Sequence, residues 1–275
     1  MANGWTKYAR RVRRPFRKLR EAAGDLVERW RDPNRMIPPK RLDFVGGTNF
    51  VEVGEEFIRY FIELGKLQPH HCVLDVGCGI GRMAIPLTKV LSSDGSYYGF
   101  DIVEKGIKWC NERVASRFPN FHFLHSNVYN KSYNPQGVVQ PRDYKFPYAD
   151  NMFDFVFLTS VFTHMLTVDM HHYLDEIARV MKPAGRCVVT FFLLNDESQA
   201  LVTAGNSTQN FVHPLQGCVT VNQEVPECAI AYNESDITAL FAKKNLQIDQ
   251  PIRYGSWCGR SRFLSYQDIV IASKL

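Results

Sequence analysis

The sequence predicts an α/β fold, a mostly parallel sheet with helices on both faces, and three observations carry that expectation. From residue 72 onward, short apolar runs alternate with segments of helical spacing, the beat of successive strand-helix units. A glycine-rich turn, Gly77-Cys78-Gly79-Ile80-Gly81, follows the first apolar run directly and opens a helix. Near the end, two strand-like segments flank "CGRSRFL" with no helical pattern between them, which predicts an antiparallel hairpin at a sheet edge.

In chain order, residues 1–31 hold ten Lys or Arg against three acids, so this arm carries +7 of a chain whose net charge is +5. Trp5, Tyr8, Val12, Phe16 and Leu19 recur there at steps of three or four, an amphipathic helix bent or restarted at Pro15. Such a helix suits peripheral contact with an anionic membrane surface, or packing on the domain or on a second copy as a dimer. Nucleic acid is disfavoured, because no basic track continues beyond the arm. "RDPNRMIPPKR" reads as a linker, so the chain divides into an arm and linker, 1–41, and a catalytic domain, 42–275.

Within the domain, "GEEFIRYFIELGKL" is helical and stops at Gly65. "CVLDVG", "SYYGFDI", "FHFLHSNV", "FDFVFLTSV" and "GRCVVTFFLL" are strands, and "RMAIPLTKVL", "EKGIKWCNERVASRF" and "DMHHYLDEIARVM" are helices. Residues 195–226 lack periodicity and read as loop, before the helix "ESDITALFAKKNL" and the hairpin strands "QIDQPIRYGSW" and "SYQDIVIASKL". No apolar run is long enough to cross a bilayer and no secretory signal is visible, so a cytoplasmic location is expected, peripheral to the membrane if the arm docks there. Seven scattered cysteines with no CxxC pair argue against a disulfide framework or structural zinc, and no histidine cluster makes a metal set.

The glycine turn alone says only that a nucleotide binds. Asp75, two residues ahead of Gly77, suits a cationic ligand group and would repel a dinucleotide's pyrophosphate. Asp101 closes the next strand, where an acid accepts from ribose hydroxyls, and Asn127 and Val128 end the third, where an adenine could lie.

"VLDVGCGIGRMAIPL", "YYGFDIVEKGIKWC", "FPYADNMFDFVFLTSVFTHML" and "EIARVMKPAGRCVVTFF" together resemble the successive motifs of the class I, Rossmann-like S-adenosylmethionine (SAM)-dependent methyltransferases, especially the small-molecule and lipid branch. The resemblance covers residues 55–194 and implies a seven-stranded sheet of order 3-2-1-4-5-7-6 with strand 7 antiparallel. It implies that Asp75, Gly77 and Gly79 hold the methionine part of SAM, Asp101 the ribose and Ile102 one adenine face, with Asn127 and Val128 by the adenine and Cys78, Gly81 and Arg82 also in the cofactor site. Thr159 would border the cofactor, and S-adenosylhomocysteine would be the product. Asn127 stands where the family often has Asp, which weakens that assignment.

A sulfonium methyl is already activated, so the protein chiefly aligns a nucleophile, and a hydroxyl acceptor also needs a base. His164, just beyond the fourth strand, is the candidate. The acceptor, a small molecule, lipid or glycan, would sit between two insertions, about 129–148 and 195–226, with Tyr129, Tyr133, Tyr144, Tyr148 and Trp257 as aromatic lining. "LDFVGGTNF" could fold over the cofactor, hinged at Gly46 and Gly47. The same residues leave open N- or C-methylation, a NAD-dependent reductase, which Asp75 and the hairpin disfavour, and a non-catalytic SAM-binding scaffold docking through its arm.

Overall fold

The computed structural model describes residues 36–39, 42 and 49–275. The basic arm, most of the linker and the Gly46-Gly47 hinge lie outside the described residues. Seven strands form the main sheet: β1 (Cys72–Val76), β2 (Ser96–Asp101), β3 (Phe121–His125), β4 (Phe153–Leu158), β5 (Met181–Phe191), β10 (Leu246–Ile248) and β11 (Asp268–Lys274). Their order is β3-β2-β1-β4-β5-β11-β10. With β10 and β11 as sixth and seventh members, that is 3-2-1-4-5-7-6. β11 runs antiparallel to β5 and to β10, while the other pairs are parallel.

The sheet is buried on both faces, so its strands read as continuous apolar runs rather than alternating ones. One face carries Val73, Phe155, Phe157 and Val188 against Phe57, Ile58 and Phe61 of α1 (Phe50–Glu63) and residues of α2 (Ala84–Leu87) and α3 (Glu104–Cys110). The opposite face carries Leu74, Val156 and Val189 against Leu174 and Ile177 of α4 (Thr167–Val180) and Phe241 of α6 (Glu234–Lys243). In α1 the buried positions recur at steps of three and four, and Gly54 lets the helix approach the glycine turn: a Cβ there would stand 2.7 Å from the Arg82 carbonyl oxygen.

Two expectations are corrected. Residues 195–226 are not bare loop: they hold α5 (Asp196–Thr203), β7 (His213–Leu215) and β8 (Cys218–Thr220). With β6 (Leu193–Leu194) and β9 (Ile230–Asn233) the strands form a second sheet, β6-β9-β8-β7. Strands of two to four residues are too short to show a period, and the capping box of α5 pairs Asn195 with Ser198 rather than with Glu or Gln. The terminal hairpin exists, but its first strand is only Leu246–Ile248, and a long irregular connection joins it to β11.

That connection is anchored on one carboxylate. Asp268, fully buried, accepts from the amides of Leu193 and Gly255 and the indole N–H of Trp257, each at 2.7 Å, and from Arg260 at 3.2 Å. Arg260 continues to Glu197 at 2.7 Å and to Asn195 at 3.1 Å. The hub thus fastens the second sheet and the connection to the start of β11 in the first.

No helix among the described residues is long and apolar enough to cross a membrane. All seven cysteines are free thiols; five are buried, Cys72 is half-buried and Cys228 is exposed.

Candidate functional site

Strand order reverses at β1, whose neighbours β2 and β4 diverge beyond their carboxyl ends, the place where open α/β sheets bind ligands. A cavity of about 780 Å³ opens there, within the ordinary range of ligand pockets. Of the residues the sequence singles out for the cofactor, Asp75, Gly77, Cys78, Gly79, Arg82, Asp101, Ile102, Val128 and Thr159 line this cavity. Gly81 and Asn127 are not on its wall. Gly81 closes the turn by bonding the Cys78 carbonyl, and Asn127 uses its own carbonyl to receive the amides of Val138 and Val139.

Gly77 stands at φ +81°, and a Cβ there would lie 2.5 Å from Val161 Cγ2, so only glycine lets the chain turn this close to the segment after β4. Asp101 fixes the same turn: its carboxylate accepts from the amides of Gly79 and Val103, each at 2.8 Å. A carboxylate has about four lone-pair sites, so capacity remains for ligand hydroxyls.

Asp75 is the informative residue. It is 1 % exposed; Oδ2 accepts the Tyr97 hydroxyl at 2.7 Å, and Oδ1 is buried with no protein partner. Burial pushes its carboxyl up to about 8, against the lowering effect of the Tyr97 bond. An unpartnered buried carboxylate oxygen is costly, and a ligand ammonium would satisfy it. The residues therefore fit the α-ammonium and ribose of SAM and disfavour a pyrophosphate. Gly99, two residues beyond Tyr97 on the same strand face, leaves room for the hydroxyl: a Cβ there would sit 2.7 Å from it. Sequence reasoning missed Tyr97; the strand Ser96–Asp101 carries two adjacent tyrosines, and only the register, which sets Asp75 beside Gly99, shows which of them faces Asp75.

The other end of the cavity is built around His164, in a 3₁₀ turn, Phe162–His164, held by Phe162 packing on Phe191 at 5.4 Å. His164 Nδ1 lies 2.8 Å from the Glu227 carbonyl oxygen. A carbonyl only accepts, so Nδ1 carries the proton and Nε2 presents a lone pair. Burial holds the imidazole below its ordinary 6.5, with the Glu227 and Cys228 carbonyls pulling the other way. Tyr129, Tyr133, Arg142, Asp169, Tyr173 and Glu227 share this end.

Tyr148 and Trp257, expected as aromatic lining, stand elsewhere. Tyr148 packs edge-on to Phe153 at 5.1 Å, and Trp257, fully buried, meets Phe192 and Phe211 edge-to-face while donating to Asp268. Tyr144 is also off the wall, bonded to Ser126 at 2.6 Å. Each ring has enough apolar area to be drawn into a neighbouring core, an alternative that aromatic composition alone does not resolve. Asp169 and Glu227 were not foreseen, because isolated acids on a helix and in a short turn carry no motif.

A methyltransferase-domain family model matches residues 74–189. "Methyltransferase GfsG" of Streptomyces halstedii is 25% identical over 175 residues, covering 64% of this chain and 53% of that protein. "Ubiquinone/menaquinone biosynthesis C-methyltransferase UbiE" of Geotalea daltonii is 28% identical over 152 residues, 55% of this chain and 58% of that protein. The chain spans about half the length of these curated relatives. A SAM-dependent methyltransferase from Aquifex aeolicus shares the fold, with a TM-score of 0.53 at 18% identity over 87% of this chain and 100% of that one. The chain is thus similar to methyltransferase domains over residues 74–189 and shares the fold of a SAM-dependent methyltransferase.

Proposed function

We propose that this chain binds SAM with Asp75, Asp101 and the glycine turn and transfers its methyl group to an oxygen of a small-molecule, lipid or glycan acceptor. The observation that carries the reading is that one cavity joins the unpartnered Oδ1 of Asp75 to the imidazole whose Nδ1 is tied to Glu227. When bound, SAM supplies a methyl group already activated by its sulfonium. Asp75 would receive the ammonium, Asp101 the ribose hydroxyls, and the wall of Ile102 and Val128 the adenine. His164 Nε2 would take the proton from the acceptor hydroxyl as it attacks, a contribution of roughly 10²–10⁴-fold for a general base. His164→Gln, assayed with labelled SAM at saturation against an extract of the cells that make the protein, should lose at least 10²-fold in turnover; a near-normal rate overturns the base assignment.

A carbon acceptor is the second reading, favoured by the faces of Tyr129, Tyr133 and Tyr173 on the same wall and by the C-methyltransferase named among the relatives. Mapping the labelled product separates an ether methyl from a carbon-bound one. The arm, residues 1–31, would bring the chain to an anionic surface, which cosedimentation of the full chain with anionic vesicles, against a chain lacking those residues, tests.

A further inference from the structure

Among the described residues two carboxylate oxygens are buried with no hydrogen-bond partner, Asp75 Oδ1 and Glu227 Oε2, and both residues line the same cavity. The first marks the cofactor end. The second stands at the other end, on the residue whose backbone carbonyl orients His164. A buried carboxylate oxygen left without a donor is destabilising, and a binding site is where a fold tolerates one because a ligand supplies the donor.

The surroundings define that ligand. Glu227 follows β8 in the turn Pro226–Cys228, and Asp169 faces it from α4. Burial raises the Asp169 carboxyl, and Arg142, whose amide and side chain both face it, draws it back. The end of the cavity therefore holds two acids, one guanidinium and a neutral imidazole: many hydrogen-bonding groups with little net charge. The wall between them carries the rings of Tyr129, Tyr133 and Tyr173. Tyr133 meets His164 edge-on at 6.2 Å. The guanidinium of Arg142 offsets the charge of Asp169, and a carboxylate acceptor beside an aromatic face and an imidazole nitrogen matches a ring that bears adjacent hydroxyls; an amine at the same place is the alternative the test separates.

We propose that Glu227 selects the acceptor by receiving a hydrogen bond from a second hydroxyl next to the one that is methylated, so that the substrate class is a vicinal diol. One hydroxyl yields its proton to His164 Nε2 as its oxygen forms the bond to the methyl carbon and the carbon–sulfur bond breaks, leaving S-adenosylhomocysteine. The neighbouring hydroxyl keeps its proton and donates it to Glu227 Oε2. This inference rests on the methyltransferase reading.

The test uses the full chain, labelled SAM and three portions of one cell extract, lipids included. One portion is untreated, one is oxidised with periodate and quenched, which cleaves vicinal diols, and one is acetylated under conditions that block amines. Transfer to the untreated and acetylated portions with at least a tenfold loss after periodate is the expected result. Glu227→Gln should lower transfer to the untreated portion by about tenfold or more, the scale of one charge-assisted hydrogen bond, while SAM affinity by calorimetry stays within twofold. Label that survives periodate, or that acetylation abolishes, overturns the diol; an unaffected Glu227→Gln overturns the role of that residue. No transfer to any portion sinks the methyltransferase reading itself, and the diol with it.

Discussion

Tyr97 donates its hydroxyl to Asp75 Oδ2 over 2.7 Å, and this leaves Oδ1 buried with no protein partner at the end of β1. The arrangement stores a charge site that only a ligand completes. With the carboxyl pushed up to about 8 from 3.8, the ligand-free protein holds more protons than the unfolded chain between those values, so this group's contribution to stability declines as pH rises through that window. Asp75→Asn removes the liability, and we expect the ligand-free variant to gain at least ~1 kcal/mol at pH 8, about 2–4 °C in melting temperature, with less gain at pH 5. Equal shifts at both pH values in scanning calorimetry would refute the assignment.

The same elevation couples SAM binding to proton release. At pH 7 Asp75 is largely protonated, and pairing with an ammonium requires the carboxylate. Titration calorimetry in buffers of different ionisation enthalpy should report release of close to one proton in the wild type and none in Asp75→Asn, whose affinity should fall at least tenfold. Proton uptake on binding is the contrary outcome.

Gly77 and Gly205 offer a matched pair. Both have positive φ, but a Cβ on Gly77 meets Val161 at 2.5 Å whereas one on Gly205 meets nothing within 4 Å. Gly205→Ala should cost only the left-handed backbone, about 1 kcal/mol, and leave SAM affinity unchanged. Gly77→Ala adds a clash inside the site and should weaken SAM by tenfold or more. Similar effects of both variants on SAM affinity would contradict the close-approach argument.

Acid should slow turnover only below the ordinary imidazole value. Burial lowers the His164 pKa, so the half-protonation point of Nε2 falls below the ordinary imidazole value, and rate is lost as pH falls through it. A pH-rate profile at saturating SAM whose acid limb lies above 6.5 would exclude His164 as its source.

Asp268 accepts from four donors that belong to β6, the connection before β11 and Arg260. Asp268→Asn turns an N–H₂ toward donors and takes from the buried Arg260 one of its two carboxylate partners, at a cost on the order of 3 kcal/mol. Denaturant unfolding measures it; a cost below 1 kcal/mol would show that the hub is not what secures the second sheet.

The sequence disclosed the cofactor end far better than the acceptor end, for a physical reason. Asp75, Gly77, Gly79 and Asp101 sit at strand ends whose spacing is set by the parallel sheet, so their meeting at one cavity follows from the alternation of strands and helices. Glu227, Asp169 and Arg142 converge from a short turn, a helix and an irregular loop, and only the folded chain brings them together. Trp257 illustrates the converse: an aromatic near a predicted pocket was drawn into the Phe192 and Phe211 cluster by apolar burial and by the carboxylate of Asp268.

Calorimetric titration of the protein with SAM and, separately, with NAD addresses the central claim most directly. The geometry around Asp75 predicts saturable binding of SAM, abolished or weakened at least tenfold in Asp75→Asn, and no binding of NAD. Saturable binding of NAD with none of SAM would contradict it.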